Sequence, residues 1–78
     1  GRNQERTTES FWDTGKVAAV NQERNGRLWG WQKYFSEDGV LMREDEHGER
    51  GVLQRRRHYD ASGSLDREER FLEDGSRV

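Results

Sequence analysis

Glycine spacing constrains this chain more than any other feature. Gly15, Gly26, Gly39, Gly51, Gly63 and Gly75 follow one another at steps of 11, 13, 12, 12 and 12 residues. Four residues before the glycine stands an aromatic ring at Phe11, Phe35, Tyr59 and Phe71, with the imidazole of His47 as a fifth. Two residues after it stands an aliphatic side chain at Val17, Leu28, Leu41, Leu53 and Leu65. A period near twelve is too short for a pair of helices and suits one strand plus one turn.

The residues around the glycines fit that reading. Thr14-Gly15, Asn25-Gly26, Asp38-Gly39, Ser62-Gly63 and Asp74-Gly75 are hairpin-turn pairs, because glycine accepts positive φ and the polar neighbour bonds back to the turn. His47-Gly48-Glu49-Arg50-Gly51 reads as a longer turn. The chain has no proline, so no strand loses a ladder donor. The expected fold is all-β: a single-layer, up-and-down antiparallel meander of about six to seven strands, built from 24-residue hairpin repeats. Residues 1–10 are set apart as a flexible N-terminal segment, with weak helical spacing, and residues 11–78 as the β domain.

The period also sets a register. If each ring faces the aliphatic residue across its bend, Phe11 pairs with Val17, Phe35 with Leu41, His47 with Leu53 and Tyr59 with Leu65. Continued inward without interruption, Asp45 falls opposite Arg55 and Arg55 opposite Glu69. On the reverse face Glu44 falls opposite Arg56, and Arg56 opposite Glu68. Opposite charges across a ladder favour pairing. Arg57 is the flaw, landing opposite both Arg43 and Arg67. Parity then puts Phe11, Val17, Ala19, Trp29, Trp31, Phe35, Leu41, Leu53, Tyr59, Leu65 and Phe71 on one odd-numbered face, expected to be the buried one. The uneven steps around Gly26 imply a bulge or slip near Trp29-Gly30-Trp31.

Composition decides what such a sheet can hide. Five Leu, five Val, three Phe and no Ile, with 38% charged residues, leave little for a core. Three Trp, three Phe and two Tyr, at a net charge of only −2, argue for order. There is no cysteine, hence no disulfide and no thiolate metal site. The near balance of charge gives no general pull towards nucleic acid or lipid. No apolar run approaches a membrane span. The chain opens on Gly1 rather than Met, which reads as a processed product or a domain cut from a longer chain. A soluble protein is expected.

The pattern of an aromatic, two residues, an acidic residue or Asn, glycine, one residue and then an aliphatic, recurring at a 24-residue full period, is carried by Phe11–Val17, Tyr34–Leu41, Tyr59–Leu65 and Phe71–Gly75, linked by Asn25-Gly26-Arg27-Leu28-Trp29-Gly30-Trp31-Gln32-Lys33-Tyr34. It resembles the MORN repeat, and more closely the variant MORN repeats of bacterial antitoxin-like proteins, over about residues 11–77. The stretch 47–58 departs from it, with Gly51-Val52-Leu53 where Gly-x-Trp is usual. The resemblance implies single-layer hairpin arrays that bind proteins and sometimes phospholipid, with no catalysis, and a bacterial cytoplasm or cell envelope as the setting.

Candidate sites follow from chemistry. His47 and His58 do not converge in the expected register, so no metal is called for, and no cofactor either. The carboxylates read as ladder partners rather than an acid–base pair, and no serine stands beside an activating histidine, so no catalytic residue is assigned. Trp29, Trp31, Tyr34 and Phe35 concentrate aromatic area in one hairpin. Arg55 and Arg57 belong to the only basic run. Trp, Tyr and Arg are the usual anchors of interfaces, so these six residues form the expected partner-binding surface. The partner is another protein. The alternatives are an anionic ligand, phosphoinositide or nucleic acid, held by strand arginines, and a structural role in which sheet edges join copies into a homo-oligomer or serve a longer protein.

Overall fold

A computed structural model of the chain describes residues 4–74, 76 and 77. Seven strands make one open antiparallel sheet: β1 (Glu5–Phe11), β2 (Val17–Arg24), β3 (Arg27–Leu28), β4 (Gly30–Phe35), β5 (Leu41–His47), β6 (Leu53–Tyr59) and β7 (Leu65–Arg70). Their spatial order is β1-β2-β4-β5-β6-β7, with the two-residue β3 pairing on β2. Extents of 39 × 30 × 14 Å leave room for one layer, since a second sheet would add about 10 Å and its own side chains. Residues 5–10, set apart from the domain by sequence, run along β2 as the edge strand β1.

The turns share one geometry. Ser36 N donates to Val40 O at 2.9 Å, and Gly39 N donates back to Ser36 O at 2.9 Å. The same pair of bonds closes Trp12–Lys16, Gly48–Val52 and Asp60–Ser64. Each is a three-residue loop whose last member is a glycine at φ between 78° and 91°, a region that side chains beyond glycine rarely enter. The 48–52 loop, expected to be longer, has the same three residues as the others. Asp60 accepts from Ser62 N and Ser64 N, which fixes its loop from within. At the last bend Leu72 N donates to Ser76 O and Phe71 bridges to Arg77. Gly75 of that expected turn lies outside the described residues.

All four expected closing pairs are present: Phe11 with Val17, Phe35 with Leu41, His47 with Leu53 and Tyr59 with Leu65. Beyond them the register departs from expectation. Ser10 pairs with Ala19, Tyr34 with Arg43, Glu46 with Arg55 and His58 with Arg67, so Ala18, Met42, Gln54 and Asp66 are each passed over. Every one of these hairpins therefore carries a bulge just inside its closing pair. One extra residue moves each later pair by one. Asp45 faces Arg56, not Arg55; Glu44 faces Arg57, not Arg56; and Arg57 also faces Glu68. The expected clash of Arg57 with Arg43 and Arg67 disappears.

The bulges also overturn the division by parity. A one-residue insertion flips every later side chain relative to its neighbour strand. One face carries Trp31, Lys33 and Phe35 of β4, Glu44 and Glu46 of β5, Arg55 and Arg57 of β6, and Glu68 and Arg70 of β7. The other carries Gln32, Tyr34, Arg43, Asp45, Arg56, His58, Arg67 and Glu69. Neither is a buried apolar face. Among the described residues Ala19 is the sole buried apolar side chain, and the most enclosed groups are polar: Gln32 at 0% exposure and Asp45 at 3%.

Gln32 is buried because of how β2 meets β4. Only Ala19–Tyr34 and Val20–Lys33 pair directly. Beyond them β2 runs on to a tight turn at Asn25 and Gly26, both at positive φ, and returns as β3 before the chain kinks at Gly30 (φ 72°). Side-chain amides bridge the gap. Gln32 Oε1 accepts from Gln22 N at 2.7 Å, and Gln32 Nε2 donates to Trp29 O at 2.9 Å. Gln22 Oε1 accepts from Trp31 N at 3.0 Å. A Cβ at position 30 would stand 2.5 Å from that oxygen and push the Gln22 amide off Trp31 N, on top of the strain of a positive φ. The bulge expected near Trp29-Gly30-Trp31 is thus a kink and a splayed ladder.

Candidate interaction surface

Four of the six residues singled out by sequence share the tryptophan face: Trp31, Phe35, Arg55 and Arg57. They do so because two bulges, one in each hairpin between β4 and β6, cancel, and odd positions on both strands regain the same side. The Arg57 guanidinium lies 5.2 Å from the Trp31 ring centroid, within range of a cation–π contact. Its Nε donates to Glu68 Oε2 at 2.9 Å. Arg70 Nε donates to Glu68 Oε1 at 2.9 Å, and Arg55 Nε stands 3.7 Å from that oxygen. Three guanidiniums thus converge on one carboxylate. Hydrogen bonds from Arg70 and Arg57 hold the Glu68 carboxyl below its ordinary range, and Glu68 in turn raises Arg57. The Tyr59 hydroxyl donates to Glu44, which pushes the phenol above its usual pKa.

At the other end of the same strand, Val17, Val20 and Phe35 line an open groove between the β1–β2 and β4–β5 turns, with Lys16 and Asp38 beside it. Trp12 Nε1 donates to Phe35 O at 3.3 Å and ties the first turn to the end of β4. Phe11 and Leu65, beside their turns, are more than half exposed. An apolar groove and an aromatic–guanidinium stack at the two ends of one strand, on a face that no second layer covers among the described residues, make a surface suited to contact.

Two of the six are elsewhere. Tyr34 points to the opposite face, where the Arg43 guanidinium lies 4.3 Å from its centroid. Trp29 precedes the Gly30 kink and is covered by Arg24, whose guanidinium is 3.8 Å away. Arg70, Glu68, Val17 and Val20 belong to the surface and were missed. Arg70 and Glu68 sit at even positions, and only the bulge in the β6–β7 hairpin brings them to the side of Trp31.

His47 and His58 share the tyrosine face, not opposite faces as expected. Four positions along a strand still separate His47 from the residue opposite His58, roughly 13 Å. Burial lowers the His47 pKa, partly offset by Asp45. Among the described residues no group of three His, Cys, Asp or Glu gathers to hold a metal, and no helix is long and apolar enough to cross a membrane. No family model, curated protein or solved structure matches this chain.

Proposed function

We propose that this chain is a non-catalytic protein-binding module that docks its partner on the tryptophan face. The observation that carries the reading is the Trp31–Arg57 stack on the same face as the Val17, Val20 and Phe35 groove, a face over which none of the described residues packs a second layer. Trp and Arg in such a setting are the residues whose truncation most often abolishes association. Guanidiniums on both sides of Glu68 favour a partner with acidic groups flanking an apolar anchor. The likeness of the glycine pattern to variant MORN repeats supports the same class, with an antitoxin or immunity-type role as its specific form. Capture of a partner from the native lysate by the wild-type chain, compared with Trp31→Ala and Phe35→Ala, tests this. Both variants should lose capture while keeping β-type circular dichroism. Retained capture by both defeats the reading.

A further inference from the structure

On the tyrosine face one row of side chains breaks the alternation of charge. Tyr34, Arg43, His58 and Arg67 stand directly across from one another on β4, β5, β6 and β7. The next row on that face, Gln32, Asp45, Arg56 and Glu69, alternates in sign from β5 onward. In the first row two guanidiniums flank an imidazole and no member of the row is a carboxylate; the nearest, Glu69, reaches the imidazole from the next row.

The nearby carboxylates are already committed. Asp45 takes two hydrogen bonds from Arg56, at 2.9 and 3.1 Å. Glu69 meets His58 Nε2 at 2.6 Å and also bonds Arg77. Arg43 stacks on Tyr34, and its buried Nε has no hydrogen-bond acceptor, standing 3.4 Å from Asp45 Oδ1. Arg67 is exposed and has no ion pair among the described residues. Among the described residues that the ladders and the Glu69–Arg77 bond place on this face from β5 onward, the guanidiniums of Arg43, Arg56, Arg67 and Arg77 stand against the carboxylates of Asp45 and Glu69, an excess of two positive charges.

We propose that this row binds a phosphate-monoester dianion over His58, with Arg43 and Arg67 as its two jaws. Arg43 and Arg67 are two strands apart, about 10 Å between backbones, a gap that two long side chains close around one tetrahedral group. A guanidinium fork matches phosphate oxygens, and several oxygens on one group let both arginines donate at once. Stacking on Tyr34 fixes one jaw before the ligand arrives. A dianion also matches the excess charge. The site lies on the face away from Trp31 and Arg57, so it stands or falls apart from the docking surface.

Inorganic phosphate, titrated into the whole chain against chloride at equal ionic strength and followed by amide NMR shifts, tests the proposal. Saturable shifts should centre on Arg43, His58 and Arg67. Arg67→Gln, which removes no hydrogen bond or ion pair among the described residues, should weaken the affinity roughly tenfold. Arg27→Gln, a basic change on β3 remote from the row, should leave it within twofold. Arg43→Gln should match Arg67→Gln if it folds, and Arg67→Gln alone decides if it does not. Shifts that spread over the chain without saturating, or equal weakening by Arg27→Gln, overturn the site. Glycerol phosphate and phosphatidic acid vesicles then separate a soluble monoester from a headgroup; binding to neither also overturns it.

Discussion

From β4 to β7 the strands meet through long ladders, five or six pairs at each boundary, with opposite charges across most of the charged pairs, Arg55 facing Arg70 being an exception. Between β2 and β4 only two pairs meet, and two glutamine amides span the rest. The first region is ordered by backbone bonds and decorated with salt bridges that largely face water. The second is ordered by side chains, and it holds Gln32, the one fully buried side chain among the described residues. A single layer with no apolar core can be built either way. The two devices differ in how much depends on one residue.

Replacing Gln32 is the strongest way to break that contrast. Gln32→Ala leaves Gln22 N without its acceptor and Trp29 O without its donor, at a part-buried place in the sheet. Each stranded group costs about 1–3 kcal/mol, so a loss of about 3 kcal/mol is expected in urea unfolding. In a domain this small that is a large part of the total. A loss below about 1 kcal/mol would mean that the gap between β2 and β4 is not held by the amides.

Asp45 sharpens the comparison from the other side. It is the most enclosed charge in the ladder region, at 3% exposure, paired with Arg56. Asp45→Asn keeps the shape and removes the charge. Arg56 is 30% exposed and regains water, so the full penalty of a buried orphan charge is not reached. A loss of about 1–2 kcal/mol is expected, smaller than that for Gln32→Ala. A larger loss than for Gln32→Ala would reverse the ranking of the two devices.

That ranking was not legible in the sequence, although much of the fold was. The glycine steps and the rings and aliphatics beside them place every described turn and all four closing pairs, because turn chemistry is local. The bulges were not visible. Ala18, Met42, Gln54 and Asp66 share no residue type; each stands three residues after its loop glycine, so its place in the hairpin and not its side chain makes it the passed-over residue. Missing them moved the inner charge pairs by one and misplaced Glu68 and Arg70. Tyr34 was grouped with Trp31 and Phe35 by neighbourhood in the chain, although adjacent strand residues face opposite ways. Gln32 carried no signal at all, since an amide among Trp31, Lys33 and Tyr34 reads as surface until the broken ladder around it is seen.

The smallest expected effect is a pH dependence that separates His47 from the carboxylate rows. Burial holds the His47 pKa below its usual 6.5 in the folded chain, against a weaker opposing pull from Asp45. On the same side, Arg56 also disfavours its charged form. The unfolded chain therefore takes up the proton first as the pH falls. Stability should be full above about 6.5 and drop as the pH passes below it, towards the folded value. Glu68 and Glu69 act in a lower window. Their folded pKa values lie below the ordinary 4.5, so the stability they contribute is present above 4.5 and is lost as the pH falls through the folded values. Urea midpoints for the wild type between pH 7.5 and 3 should show two steps. His47→Gln should remove the upper step and leave the lower one. If the upper step persists, another group titrates there, and the end of β5 is not the acid-sensitive part of the sheet.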